Sequence, residues 1–417
     1  MSGYQFHSGC HMFISILLLI LTIVFVVFFA VFPPIGVAAL LFASTLERWT
    51  LSLFSFSFSV NEWLLMLFLP VMIGRLVLVE KDKPSEWFYR LLIFILVIIA
   101  SSFFSLHPLP AMKNAFLLAS YIAAAYLVCR LLHSTMPIKT ILWMLGGCLF
   151  LSFILSTQQL IRRVGFEDIS LHGGFRDGNT YSFFIAVLLP FVAWNARHAV
   201  SVQRDTFWMV VFFASVIFGL SGGSNSGIFL VGTSVALIIA AGVFEKKQLL
   251  WFIPAFVVFF MMIIFTDAAD RLFALSSTPP FQWRLNSNLA ALSLFTQHPF
   301  FGVGAGQFEA YIQWTHPDIV PLLSADYSAF FVILAESGIL GGLSFAGILV
   351  YLCTRLYRAF RDCHNFDCAG KTIHLAALCS LTLFMFASLI HSIHTHLFAW
   401  ILLGFLHRLG EPLRMDR

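Results

Sequence analysis

The sequence predicts an all-α polytopic membrane protein, a bundle of 12 or 13 membrane-spanning helices. Three observations carry that expectation. Of 417 residues, 60% are hydrophobic and only 11% charged, whereas an average soluble domain has about 25% charged and 45–50% apolar residues. The mean hydropathy is +0.91. The apolar runs are continuous over about 20 residues, the length a helix needs to cross a bilayer, instead of alternating over about 10 as membrane β-strands do. Soluble enzyme, nucleic-acid binder and disulfide-stapled secreted scaffold are excluded together.

In chain order the apolar runs fall at 13–32, 34–45, 61–79, 87–105, 112–129, 138–158, 180–196, 206–222, 226–244, 248–266, 327–354, 372–390 and 393–410. The Pro33-Pro34 break leaves the second run poorly able to span, hence 12 or 13. The first run lacks a basic leader and a small-residue cleavage site and reads as a retained helix. The chain thereby divides into N-terminal helices (1–60), a bundle with an outer loop at 159–178 (61–266), a large outer loop (267–326), and C-terminal helices with a tail (327–417). Of the seven Cys residues, Cys363 and Cys368 share a short loop with His364. Without a second ligand pair, that loop reads as solvated rather than as a metal site.

Charge orients the bundle. Seventeen of the 24 Lys and Arg residues fall in one set of alternating loops and the C-terminal tail, which is therefore the cytoplasmic side. Five of the seven others are arginines in just two outer segments: Arg162, Arg163 and Arg176 in 159–178, Arg271 and Arg284 in 267–326. Arginine retained against the topological bias points to an anion held outside, and guanidinium suits phosphate oxygens bidentately. Pairing with Glu167, Asp168, Asp177, Asp267 and Asp270 is the plainer reading.

The outer loops carry the remaining signals. In 267–326, Leu285, Leu289, Leu292 and Phe295 recur at helical spacing. That stretch breaks at His298-Pro299 into Gly302-Val303-Gly304-Ala305-Gly306, where Gly304 and Gly306 permit close backbone approach to a ligand or a neighbouring helix. His316 is the histidine of this loop best placed for chemistry. In the earlier loop, Asp177 or Asn179 is a candidate N-cap for the following helix, whose N-terminus with Arg176 would seat an anion or merely form a capped turn. Glu336 falls inside an apolar run, where an acid is expensive and either functional or a structural brace. His391, His394 and His396 sit at the outer turn before the last helix and read as solvated rather than metal-binding.

Three of these pieces together resemble the O-antigen ligase superfamily, which includes O-antigen ligases, O-antigen and exopolysaccharide polymerases and bacterial O-oligosaccharyltransferases. Gly174-Phe175-Arg176-Asp177-Gly178-Asn179, with the helix from Phe183 to Pro190, resembles the family's Phe-x-[Asp/Asn]-Pro-Asn segment. Arg284 through Phe308 resembles its Arg-bearing helix running into His-Pro-Leu-x-Gly-x-Gly-x-Gly-x-Phe. Leu334-Ala335-Glu336-Ser337-Gly338-Ile339-Leu340-Gly341 is similar to its Leu-Ala-Glu-x-Gly-x-x-Gly. The resemblance spans about residues 60–410.

What the resemblance implies is a metal-independent, cofactor-free glycosyltransferase of GT-C-like fold in the bacterial inner membrane, its active face periplasmic and its C-terminus cytoplasmic. It would move a glycan from undecaprenyl diphosphate to a glycan or lipid A-core acceptor, in lipopolysaccharide or exopolysaccharide synthesis and within a polysaccharide assembly complex. No nucleic acid is implied. Arg284, Arg176, Arg162 and Arg163 would hold the diphosphate, with Asn179, Gly304, Gly306 and Glu336 supporting the site. The family's His-Asn pair is replaced here by Tyr327-Ser328, and its Ser-Arg-Gly by Ser224-Asn225-Ser226. Asp326, Tyr327 and His316 therefore compete for the role of general base. A transporter of the same lipid-linked oligosaccharide, or an inactive scaffold, remains as the alternative class.

Overall fold

The structure, a computed structural model, describes residues 33–47, 50–53, 56–78, 85–135, 138–162, 172–175, 177–220, 225–245, 248, 251, 279–315, 327–363 and 368–411. The run expected at 13–32, and that at 248–266 apart from residues 248 and 251, lie outside them. Helices α1 (Pro33–Ser44), α2 (Val60–Leu78), α3 (Glu86–Phe103), α4 (Pro108–Thr135), α5 (Ile138–Arg162), α6 (Gly178–Arg197), α7 (Val202–Leu220) and α8 (Asn225–Ala240) come first. They are followed by α9 (Pro279–Gln297), α10 (Phe308–Thr315), α11 (Ala329–Asp362), α12 (Cys368–Ile390), a 3₁₀ turn (Ile393–Thr395) and α13 (Leu397–Leu409). Among the described residues seven helices, α3–α7, α11 and α12, are long and apolar enough to cross a membrane, and α2, α8 and α13 contain shorter apolar helices. The chain is an all-α multi-pass membrane protein, as its composition predicts.

One local element departs from the helical pattern. Thr50–Leu53 and Phe56–Ser59 pair as a short antiparallel hairpin, with Thr50 opposite Ser59 and Leu53 opposite Phe56. The segment from Leu51 to Ser59 is largely an alternation of apolar residues and serine, a period-2 signal hidden by the search for long apolar runs. The hairpin leads directly into α2, where the Ser59 amide donates to Glu62 Oε2 at 2.9 Å, one half of a capping box.

Helix α6 is the axis of the molecule. It is apolar all round, and every residue from Thr180 to Trp194 is buried, between α7, α8 and α12. Pro190 sits inside it, so the Ala186 carbonyl loses its i+4 donor. The Ser234 hydroxyl of α8 replaces that donor at 2.8 Å. Ser380 of α12 donates to the next carbonyl, Val187, also at 2.8 Å. Aromatic edges lock the other side: Phe184 meets Phe398 of α13 at 4.5 Å in a T-shaped pair, and Phe191 meets Phe405 at 5.2 Å.

A second helix break shapes the outer half. In α11 Gly338 adopts φ 65°, ψ −165°, interrupting the helical ladder. The Ile339 amide donates to Pro299 O at 2.8 Å. The Ala335 and Glu336 carbonyls accept the Val303 and Gly304 amides, both at 2.9 Å. From α3, the Ser101 hydroxyl also donates to Glu336 O, and Ser102 Oγ accepts the Ala305 amide at 3.3 Å. The two glycines face each other's backbone. A Cβ on Gly302 would fall 2.3 Å from the Glu336 carbonyl carbon, and one on Gly338 would fall 2.2 Å from Phe300 O. The glycine-rich loop and the Leu-Ala-Glu-Ser-Gly stretch are thus the halves of one clasp.

Helix α9 forms as its spacing predicts, with the three leucines of that stripe turned outward. Leu285, Leu289 and Leu292 are exposed, while Ser287, Ala291 and Leu294 are the buried face, packed towards α11. Small residues on the inner face allow close helix approach.

Substitution at the clasp has a definite expected result. Gly338→Ala must bear both the left-handed backbone and the contact with Phe300, at about 1–3 kcal/mol for the strain alone. It should lower the unfolding midpoint in detergent. Gly347→Ala in the same helix, where a new Cβ meets nothing within 4 Å, should leave the midpoint unchanged or slightly raised.

Candidate functional site

The first turn of α6 opens on a cavity of about 720 Å³. Its walls come from distant parts of the chain: Glu47 after α1, Glu62 on α2, Asn114 and Tyr121 on α4, Asp177 to Thr180, the 305–309 loop, Tyr327, Glu336, and residues 391–396. Local chemistry explains how these converge. Asp177 is the N-cap of α6, accepting the Thr180 amide at 2.8 Å and the Thr180 hydroxyl at 2.9 Å. Before it, Gly174 lies so close to the end of α1 that a Cβ would fall 1.9 Å from Thr45 O. That contact carries Glu47 over the α6 N-terminus.

Arg284 reaches this turn through a relay. Its Nη2 donates to Ser226 Oγ at 3.1 Å, and the Ser226 hydroxyl donates to Asn179 Oδ1 at 2.9 Å. Three helices, α9, α8 and α6, are joined by these two bonds. Ser226 belongs to the segment aligned with the family's Ser-Arg-Gly, and its role was not visible from sequence because a serine hydroxyl carries no distinctive spacing.

Of the other residues singled out in the sequence, Glu336 lines the cavity and accepts the Phe308 amide at 3.2 Å, bracing the start of α10. Gly306 lines it with φ 64°, packed on Asn114, and Gly304 is engaged in the clasp. Tyr327 lines it and donates its hydroxyl to Glu309 Oε1 at 2.7 Å. The side chains of Arg162 and Arg176 lie outside the described residues, as do Arg163, Arg271, His316 and Asp326.

The histidine turn differs from its expectation. Rather than being solvated, His391 and His394 are buried. His396 places Nδ1 2.9 Å from Glu47 Oε1 and 3.1 Å from Oε2, and Nε2 3.4 Å from Thr180 Oγ1. The acid that answers the histidine is 349 residues away in sequence, beyond any local pattern. His394 is neutral in this setting: burial first, then the neighbouring His396, pushes its imidazole down from 6.5 to about 3. Its Nδ1 has no hydrogen-bond partner among the described residues.

The described lining has five carboxylates, Glu47, Glu62, Asp177, Glu309 and Glu336, and no Lys or Arg. Among the described residues, Arg284 is tied to this lining through Ser226 and Asn179. Such a cavity accepts hydrogen bonds from neutral polyols better than it accepts anions.

A multi-pass helical bundle with a polar, carboxylate-lined chamber at the end of its central helix defines the class: a membrane protein with a polar chamber at one end of its bundle. Residues 209–346 match the family model described as O-antigen ligase, and over that segment the chain is similar to that family. The match runs from α7 into α11 and includes Ser226, Arg284, the glycine clasp, Tyr327 and Glu336. At family level it supports an enzyme of glycosyltransferase-like ligase or polymerase type. No curated protein matches the chain.

The buried His394 sets an acid limit on stability. With its folded-state pKa below the unfolded value, the unfolded chain binds more protons between those values. Stability should fall as pH drops from about 6.5 towards about 3, by up to about 1.4 kcal/mol per unit. Thermal unfolding in detergent at several pH values within that window measures the loss, and His394→Asn should flatten it.

Proposed function

We propose that the protein is a glycosyltransferase of the bacterial inner membrane, moving a glycan from undecaprenyl diphosphate to an acceptor hydroxyl on the periplasmic face. The observation that carries this reading is the relay from Arg284 through Ser226 to Asn179, which ties a cation of the family-matching segment to the rim of a sugar-compatible cavity. In the proposed reaction the glycan occupies the carboxylate-lined chamber, where its hydroxyls donate to acidic oxygens. The diphosphate stays at the edge, facing Arg284.

The chemistry asks the protein for two things. Charge grows on the diphosphate oxygen as its bond to the anomeric carbon breaks, and a fixed guanidinium stabilises that charge more than it stabilises the intact donor. The acceptor oxygen must be held in line on the other side of that carbon. Arg284 serves the first need, with Arg176, Arg162 and Arg163 as further diphosphate ligands in the proposal. Gly304, Gly306 and Glu336 shape the wall, and Asn179 fixes the relay. The acceptor is a growing glycan or a lipid A-core, the product a surface polysaccharide.

Replacing Arg284 by Ala in the native host, with membrane insertion verified, should lower transfer by about 100-fold or more. Arg284→Lys should restore only part, since an ammonium lacks the bidentate fork. Surface and lipid-linked glycans read by gel and mass spectrometry separate the outcomes. Long polymer stranded on the lipid identifies a ligase, and accumulated single repeat units identify a polymerase. An unchanged glycan profile would overturn the transferase reading.

A further inference from the structure

We infer that His394 is a glycan-binding residue of the chamber, its imidazole donating a hydrogen bond to an oxygen of the donor glycan. The inference rests on the transferase reading and adds a contact from outside the segment that matches the family. Its ground is a buried side chain in the cavity wall that no described protein group satisfies.

Buried polar side chains nearly always have a hydrogen-bond partner, and one left without asks for an explanation. His394 is 3% exposed and belongs to the cavity wall. Among the described residues only its backbone is bonded, the carbonyl accepting the Trp400 indole N–H at 2.8 Å. The ring Nδ1 is enclosed and unpartnered. Nε2 has no protein partner either, yet it is not enclosed, which puts it on the cavity side.

That asymmetry decides the tautomer. A buried N–H without an acceptor is rarer in proteins than a buried acceptor without a donor, so the ring proton belongs on Nε2. The ionised carboxylates of the chamber can only accept. His394 supplies the complement, a donor. A sugar hydroxyl uses both at once, its oxygen accepting from Nε2 while its proton goes to a carboxylate.

Two other roles fit less well. Burial pushes this imidazole down to about 3, far from the working pH that a general base has to match. A metal would need further ligands, and no group of three His, Cys, Asp or Glu side chains able to hold one occurs among the described residues.

The turn presents the ring in a fixed place. The Ala329 amide, at the start of α11, donates to His391 O at 3.0 Å, and the His396 amide donates to Ile393 O at 3.2 Å. The Thr395 hydroxyl donates to Ser392 O at 2.9 Å, and Trp400 of α13 holds the 394 carbonyl. Such a contact is organised before the sugar arrives, so little ordering remains to be done on binding. A side chain left unsatisfied in the free protein costs stability, the pattern found where a residue serves function.

The test uses the full chain in membranes, with undecaprenyl-diphosphate oligosaccharide extracted from host cells lacking this protein as the donor. Release of undecaprenyl diphosphate, followed by mass spectrometry, gives kcat and KM. His394→Leu should raise KM for the donor about 3- to 10-fold with kcat little changed, the mark of binding lost equally from ground and transition states. His394→Gln, whose amide donates from near the Nε2 position, should recover most of that loss. Without donor, His394→Leu should unfold in detergent at the wild-type temperature or above, since it replaces an unpartnered polar group by an apolar one. If its KM stays within about twofold while Arg284→Ala abolishes release, the binding assignment is overturned and the transfer reading stands. If neither change affects release, the transfer reading itself fails. If the Leu and Gln variants raise KM alike and both unfold earlier, His394 is structural and the assignment is again overturned. Should His394→Leu not insert, protein carrying isotope-labelled histidine decides by magnetic resonance. The imidazole signal missing from His394→Gln must then shift on adding donor, and an unmoved signal overturns the assignment.

Discussion

Inside a membrane-spanning bundle, a backbone group that loses its helical partner must find another within the protein. The two helix breaks, at Pro190 and Gly338, meet that demand and organise the molecule in doing so. At Pro190 the orphaned Ala186 carbonyl draws in Ser234, pinning α8 against the central helix. At Gly338 the freed carbonyls of Ala335 and Glu336 draw in the amides of Val303 and Gly304. Without the second exchange the glycine loop would have no seat, and the cavity would lose one wall. A single requirement of the solvent therefore connects helix packing to the shape of the chamber.

The electrostatics follow a similar economy. Carboxylates collect inside the chamber while Arg284 is held at its edge through neutral intermediaries, a serine and an asparagine. The relay fixes the position of the guanidinium relative to the first turn of α6. Glu336 illustrates the other use of an acid in this setting. Its carboxylate holds the Phe308 amide at the start of α10, so the brace and the cavity wall are one side chain.

Much of this was legible in the sequence. Long apolar runs gave the helices because lipid demands them, and the loop at 173–179 announced an N-cap that the structure assigns to Asp177. The glycine stretch and the stretch around Glu336 were each conspicuous, yet their mutual contact was not, since no periodicity relates residues 302 and 338. The β-hairpin was written in a largely alternating pattern of apolar residues and serine but was too short to register against 20-residue runs. For α9 the period was legible but not the face, since the small Ser287 and Ala291 rather than the leucines of that stripe pack inward. His396 was misjudged for a different reason. Its acid lies at the opposite end of the chain, and only the packing of Gly174 on Thr45 brings Glu47 there.

That 349-residue separation bears on biosynthesis. Chains emerge from the ribosome N-terminus first, so α1 with Glu47 enters the bilayer long before α13 is made. Throughout translation the acid has no imidazole to meet, and the glycine loop waits likewise for the kink in α11. The chamber is closed only by the arrival of the turn that carries His396. The first walls of the chamber are therefore in the bilayer well before the last, and assembly itself decides when the cavity comes into being.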